Sequence, residues 1–363
     1  MTAELHKYIS QIKPLNHDAM EKARLRLDSL VKPPGSLGKL EDIAVQLAGI
    51  SGELHYDASK RCVITMSSDN GIVEEGVASA PQAVTHMMTL NFVKGITGVS
   101  VLAKQFGADL IVVDIGVNAD IDHPLVKNKK IRKSTWNIAK QDAMTRDEAE
   151  RAILIGIEAA IEAVNNGYTL IGAGEMGIGN TTTSSAILCA LTGIPAEQSA
   201  GKGAGLKEEA YKRKIKAIQT ALLNNKPDPD DPIDVLAKVG GFDIAAMAGL
   251  YIGGAYMQAP VVIDGFISMV AALTAARINP SVKDYMLASH KSFEQGFTHA
   301  SNALGVEPCL HLNMRLGEGS GCPIMFAVID AACAVMRDMG TFEQANIGDE
   351  YLDEIKEGDN FTV

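Results

Sequence analysis

Short apolar, β-branched runs recur along the chain, and each ends in a small or acidic residue followed by a glycine-rich turn. Cys62-Val-Ile-Thr-Met66 leads into Ser67-Ser-Asp-Asn-Gly71, and Leu110-Ile-Val-Val113 into Asp114-Ile-Gly116. Tyr168-Thr-Leu-Ile171 leads into Gly172-Ala-Gly-Glu-Met-Gly177. Later, Val261-Val-Ile263 leads into Asp264-Gly-Phe266, and Tyr285-Met-Leu-Ala288 into Ser289-His-Lys291. Unbroken apolar runs without polar alternation predict strands covered on both faces, as in a parallel sheet. Between them, Asp147–Asn165 and Thr181–Leu191 carry helical spacing. Strand, turn and helix in repeated order predict an α/β fold, a doubly wound and mostly parallel Rossmann-like sheet. Ligands of such sheets bind beyond the carboxyl ends of the strands, where the polar residues just named fall.

The two ends depart from this pattern. Residues 1–28 read as charged amphipathic helix, ahead of the turn-rich Lys32-Pro-Pro-Gly-Ser-Leu-Gly38. An apolar helix is expected from Pro323 to Met339, followed by a polar, acidic tail over 343–359. Residues 1–28 with 331–363 are therefore expected to form a small helical subdomain, and 29–330 the Rossmann-like catalytic domain. The uncharged run Ile244–Ile263 is interrupted by Pro260 and closed by Asp264. A buried helix followed by a buried strand explains it better than a membrane span.

Composition narrows the function. Of 363 residues, 47% are hydrophobic and 21% charged, as in an ordinary folded protein. The net charge of −11 disfavours a nucleic-acid scaffold, whose affinity rests on phosphate neutralisation. Five cysteines without a C-x-x-C pair suggest neither disulfides nor structural zinc, and a reducing cytoplasm is the expected setting. The opening MTAELHKYISQIKPL has no apolar stretch of signal-peptide length.

Gly172-x-Gly174-x-x-Gly177 precedes Asn180-Thr-Thr-Thr, and Glu197 lies 20 positions past Gly177. This matches a dinucleotide fingerprint on paper, but the second strand that should deliver the acid is missing. The same loop suits a phosphate cradle, with Gly177 and Gly179 allowing close backbone approach and Asn180 and Thr181 adding donors. A plain strand-to-helix turn capped by Asn or Thr is the bland reading. In Arg315-Leu-Gly-Glu-Gly-Ser-Gly321, one carboxylate stands among three glycines before a helix that Pro323 helps to start. Glu318 is expected in the positive end of that helix's dipole, ionised and able to act as a base. No metal-binding histidine spacing is present. His290 beside Ser289 has no G-x-S-x-G to make it part of a nucleophilic triad.

Lys32–Gly38, Asp69-Asn-Gly-Ile-Val73 and Gly174-Glu-Met-Gly-Ile-Gly-Asn-Thr-Thr182 occur in that order, followed by Gly240-Gly-Phe-Asp243, Asp264-Gly-Phe266 and Arg315–Gly321. Together, over about residues 20 to 345, the chain resembles the nicotinate-nucleotide:dimethylbenzimidazole phosphoribosyltransferases, which activate the lower-ligand base of cobamides. The resemblance implies a cytoplasmic homodimer that moves phosphoribosyl from nicotinate mononucleotide to a base with inversion, using neither cofactor nor metal. It implies Glu318 as general base, Glu175 as a second carboxylate by the base, and Ala80, Met88 and Leu316 as base-binding. It further implies Gly177, Lys214 and Ser292 at the phosphate, with Gly203 on the nicotinate and ribose side. Members that use dimethylbenzimidazole tend to carry Ser and Gln where this chain has Ala80 and Met88. The more apolar pocket keeps open a phenol- or p-cresol-using member that acts as one subunit of a heterodimer. A dinucleotide-binding oxidoreductase and a non-catalytic subunit are the remaining alternatives.

Overall fold

In the computed structural model the described residues are 1–203 and 205–348. The acidic stretch expected over 343–359 therefore lies mostly outside them. The chain divides into two compact units, Met1–Lys13 with Lys60–Met325, and Pro14–Ser59 with the chain from Phe326 onward. Residues 1–13 thus group with the sheet and 29–59 with the helical unit, whereas the sequence reading set its boundaries after 28 and 330.

The first unit is built on β1 (Arg61–Ser68), β2 (Ala108–Gly116), β3 (Val126–Asn128), β4 (Leu170–Met176), β5 (Val261–Ile263) and β6 (Met286–Ala288). All pair in parallel, in the order β3-β2-β1-β4-β5-β6, which reverses direction between β1 and β4. That is the strand order of the dinucleotide-binding doubly wound fold, with its crevice at the reversal. β1 is buried from Cys62 to Ser68, as its unbroken apolar run predicts. The third apolar run shifts two residues, so that Gly172 to Met176 lie inside β4 rather than in a turn.

The helices that flank the sheet begin with α1 (Ala3–Ser10). Helices α2 (His17–Ser29) and α3 (Lys39–Ser51) belong to the second unit. The first unit continues with α4 (Ala83–Val93), α5 (Gly98–Gln105), α6 (Arg146–Asn165), α7 (Asn180–Thr192), α8 (Ala196–Ser199), α9 (Glu208–Asn225) and α10 (Pro232–Val239). Then follow α11 (Phe242–Tyr256), α12 (Phe266–Ile278) and α13 (Phe297–Leu304); α14 (Gly321–Asp338) begins in this unit and belongs to the second from Phe326.

Local signals set many of the helix starts. Thr145 and Glu148 close a reciprocal capping box on α6. Asp231 caps α10, whose first residue is Pro232. The suspected membrane run resolves into α11, buried from Phe242 to Ala255, and β5. No described helix is long and apolar enough to cross a membrane.

In the second unit, α2 packs on α3 where Gly49 leaves room for Met20. Lys32 and Glu41 form a largely buried ion pair at 2.8 Å. Glu41 also accepts from the Leu37 amide, so this acid holds the Pro-Pro-Gly-Ser-Leu-Gly turn in shape.

Candidate active site

A cavity of about 320 Å³ opens over the carboxyl ends of β4 and β5. The Arg315–Gly321 loop crosses it, tied down by groups from three adjacent strands. Glu318 N donates to Glu175 Oε1 on β4 at 3.4 Å, and Thr65 Oγ1 on β1 donates to Glu318 O at 3.2 Å. Gly319 N and Gly321 N donate to Asp264, after β5, at 3.0 and 2.6 Å. Glu318 adopts φ +67°, between Gly317 at +84° and Gly319 at +91°. A left-handed non-glycine residue costs on the order of 1–3 kcal/mol and persists where its surroundings over-determine it, often at functional sites.

Glu318 does not sit in the dipole of α14, as the sequence suggested. Asp264 fills that position, through the Gly319 and Gly321 amides. The Glu318 side chain instead reaches the first turn of α5, where Val99 N donates to Oε2 at 3.1 Å and Gly98 N also donates. Burial raises its pKa against these two amides. A buried base closer to neutrality is better matched to taking a proton at working pH.

Asn180 also differs from expectation. Its amide donates to Glu175 Oε2 and, at 3.0 Å, to Asp243 Oδ2, so both donors serve buried carboxylates rather than an incoming anion. The helix cap is Gly179, at φ +99°, which has no side chain to offer. Glu197 lies on the short α8, not at the end of a strand, and accepts from Gln219, so it is not placed as the dinucleotide fingerprint would require.

The other expected site residues fall as follows. Glu175, Glu318, Ala80, Met88, Leu316, Gly177, Gly179, Asn180, Thr181, Gly203 and Ser292 all line the cavity. Lys214 does not line it. Its fully buried Nζ donates to Thr181 Oγ1 at 2.9 Å and Gly201 O at 3.0 Å, directly behind the lining. Burial lowers this lysine to about 8. Val77, Ala78 and Val84 join Ala80 and Met88 in the apolar part of the lining, and buried Thr85 accepts from Ile178 N, tying α4 to the glycine loop.

Sequence reasoning missed several contributors. The first turn of α12, Gly265 to Ser268, lines the cavity with a glycine at its cap, leaving amides available to an anion. Asp243, Asp264, His290 and Glu294 were equally unassigned. Asp264 was signalled by its place directly after an apolar run and by the Asp264-Gly-Phe266 segment of the resemblance, but neither gave it a role.

Burial raises Glu175 to about 8, with the Asp243 charge adding to it, Asp264 to about 7 and Asp243 to about 6. Between its ordinary 4.5 and about 8, Glu175 holds a proton in the folded chain that the unfolded chain has lost. Its contribution to stability is therefore present at low pH and declines across that window. Glu175→Gln is expected to flatten this decline, so that denaturant melts of variant and parent separate as pH rises, with the variant the more stable. Parallel pH profiles would contradict the assignment.

A family model described as phosphoribosyltransferase (DBI_PRT) matches residues 12–347. A nicotinate-nucleotide–dimethylbenzimidazole phosphoribosyltransferase from Clostridium perfringens is 52% identical over 359 residues, 99% of each chain. One of the same name from Ruminiclostridium cellulolyticum is 53% identical over 339 residues, covering 93% of this chain and 96% of the relative. A crystal structure of CobT from Thermus thermophilus superposes with a TM-score of 0.88 at 40% identity, covering 91% of this chain and 99% of that one.

Proposed function

The chain belongs to the phosphoribosyltransferase family, and from that premise we propose that it transfers phosphoribosyl from nicotinate mononucleotide to 5,6-dimethylbenzimidazole. The products are an α-ribotide, formed with inversion, and nicotinate. One observation carries this reading: a buried carboxylate, Glu318, shares a single cavity with two glycine-capped helix starts. Those starts suit the phosphate of the donor, and the carboxylate suits the proton of the acceptor.

The chemistry asks for one base and no acid. Nicotinate is attached as a pyridinium, so the breaking bond returns its electron pair to the ring nitrogen and needs no proton. The acceptor's free nitrogen forms the new bond to the anomeric carbon, and its other nitrogen becomes acidic as positive charge builds. Glu318 takes that proton. Sugar hydrolysis, by contrast, uses an acid and a base together. Holding donor and acceptor in line supplies much of the remaining rate, on the order of several kcal/mol.

In this reading the α7 and α12 starts and Ser292 receive the phosphate, Lys214 lends its charge from behind Thr181, and Gly203 covers the nicotinate and ribose side. Ala80, Met88 and Leu316 hold the base, and Glu175, oriented by Asn180, supports the Glu318 loop. Lys214→Met is expected to raise KM for nicotinate mononucleotide about 10-fold or more, as fits loss of a positive charge behind the phosphate site and of its hold on Thr181, with a smaller change in kcat. An unchanged KM would remove Lys214 from the phosphate site. A cytoplasmic enzyme acting as a homodimer, or with a paralogous subunit, completes the proposal, and sedimentation of the chain expressed alone checks the assembly.

The deciding experiment offers nicotinate mononucleotide with dimethylbenzimidazole, adenine, phenol and p-cresol in separate assays. Nicotinate release with dimethylbenzimidazole preferred is the expected result. Preference for a phenol would redirect the acceptor, and no release with any acceptor would overturn the function.

A further inference from the structure

Past β6 the chain carries Ser289, His290 and Ser292, and only Ser292 has a part in the function above. His290 is 2% exposed and lines the cavity. Its Nδ1 lies 3.0 Å from Ser289 Oγ and 3.8 Å from Asp264 Oδ1. Ser289 Oγ has one proton, which it donates to the main-chain oxygen of Asp264 at 3.2 Å. The Asp264 carbonyl can only accept, so with the Ser289 proton placed there Nδ1 is assigned the imidazole proton. The nearby Asp264 carboxylate favours the same tautomer. Burial lowers the ring to about 4, so it is neutral and Nε2 holds a lone pair.

That lone pair has no hydrogen-bond partner among the described residues. It faces the start of α12, where a Cβ on Gly265 would stand 3.9 Å from Nε2 and 3.7 Å from Ser292 Oγ. An acceptor that faces the cavity loses its water when substrate fills the site, so the substrate group that meets it has to bring a proton. Near neutral pH the phosphate of nicotinate mononucleotide is mostly a dianion and its carboxylate an anion, so both are poor donors, and the acceptor's proton goes to Glu318. The ribose hydroxyls are the donors that remain.

Resting on the function proposed above, we propose that His290 Nε2 accepts a hydrogen bond from a ribose hydroxyl of the donor nucleotide, fixing the sugar in the cavity and selecting ribose over deoxyribose. His290 is a recognition residue in this scheme and exchanges no proton with the reacting atoms.

The test compares nicotinate mononucleotide with its 2′-deoxy and 3′-deoxy analogues, using dimethylbenzimidazole as acceptor. The parent enzyme is expected to use one analogue about tenfold less well in kcat/KM, the scale of one hydrogen bond. His290→Asn keeps a donor for Ser289 but places nothing at Nε2, and is expected to abolish that preference by slowing the ribonucleotide alone. His290→Gln can set its amide oxygen at the Nε2 position and is expected to retain the preference. In the parent, the Nε2 nitrogen-15 resonance is expected to shift with nicotinate mononucleotide and not with the disfavoured analogue, a readout independent of variant folding. Equal use of all three donors, an unchanged preference in a folded His290→Asn, or an unmoved resonance would each overturn the proposal. Failure of the parent to release nicotinate from any donor would instead overturn the function on which it rests.

Discussion

Replacing Glu318 by Gln is expected to lower kcat about 10²- to 10⁴-fold, the range for loss of a positioned general base, with KM for nicotinate mononucleotide nearly unchanged. Gln matches Glu in shape, and its carbonyl oxygen can still accept from Val99 N, so the loop keeps its hold on α5. The loss is then chemical rather than structural. Melting of the variant should match or exceed the parent, because a buried ionisable group is gone. Parent kcat/KM should rise with pH through the raised pKa of Glu318, and the Gln variant should lack that limb. Nicotinate release with dimethylbenzimidazole measures both. Near-full turnover by the variant would assign the proton transfer to another group.

The largest effect on stability is expected at the contact between α6 and α11. Gly156 faces the main chain of α11, where a Cβ would fall 2.7 Å from Leu250 N and closer still to Ala246 O. Reciprocally, Gly249 lies over Ile153 of α6, and a Cβ on Gly253 would stand 2.7 Å from the Ala160 methyl. The obstacles are backbone atoms that cannot swing away, so the helices would have to move apart. Gly156→Val is expected to cost about 3 kcal/mol, at the upper end for overpacking, read as a fall in the urea midpoint at constant m. Activity should fall with it, since α11 carries Asp243, which accepts from Asn180 beneath the cavity. A midpoint within experimental scatter of the parent would show that the two helices have slack.

How far the site could be read from residues alone depends on how local each feature is. Unbroken apolar runs placed β1, β2 and β5, because a strand buried on both faces leaves its mark on consecutive residues. Gly172 to Gly177 was harder. Gly172 and Gly174, which look like a turn, lie in β4, where Gly174 meets the main chain of Glu318. The same segment invited two readings of Asn180, as a cap and as an anion donor, and neither describes its amide between Glu175 and Asp243.

Glu318 shows the limit most clearly. Its glycine-flanked loop, and the carboxylate such a loop presents, are written into seven adjacent residues, since glycine alone tolerates the neighbouring backbone at no cost. Which helix receives that carboxylate is not. The helix beside it in sequence is occupied by Asp264, and Glu318 turns to α5, 219 positions away. Periodicity and turn chemistry act between near neighbours in the chain, so strands, helix starts and candidate acids were legible from them. The pairing of buried acids with amides and helix ends follows from strand order and packing, which bring distant segments into low-dielectric contact and leave no local trace in the residues they join.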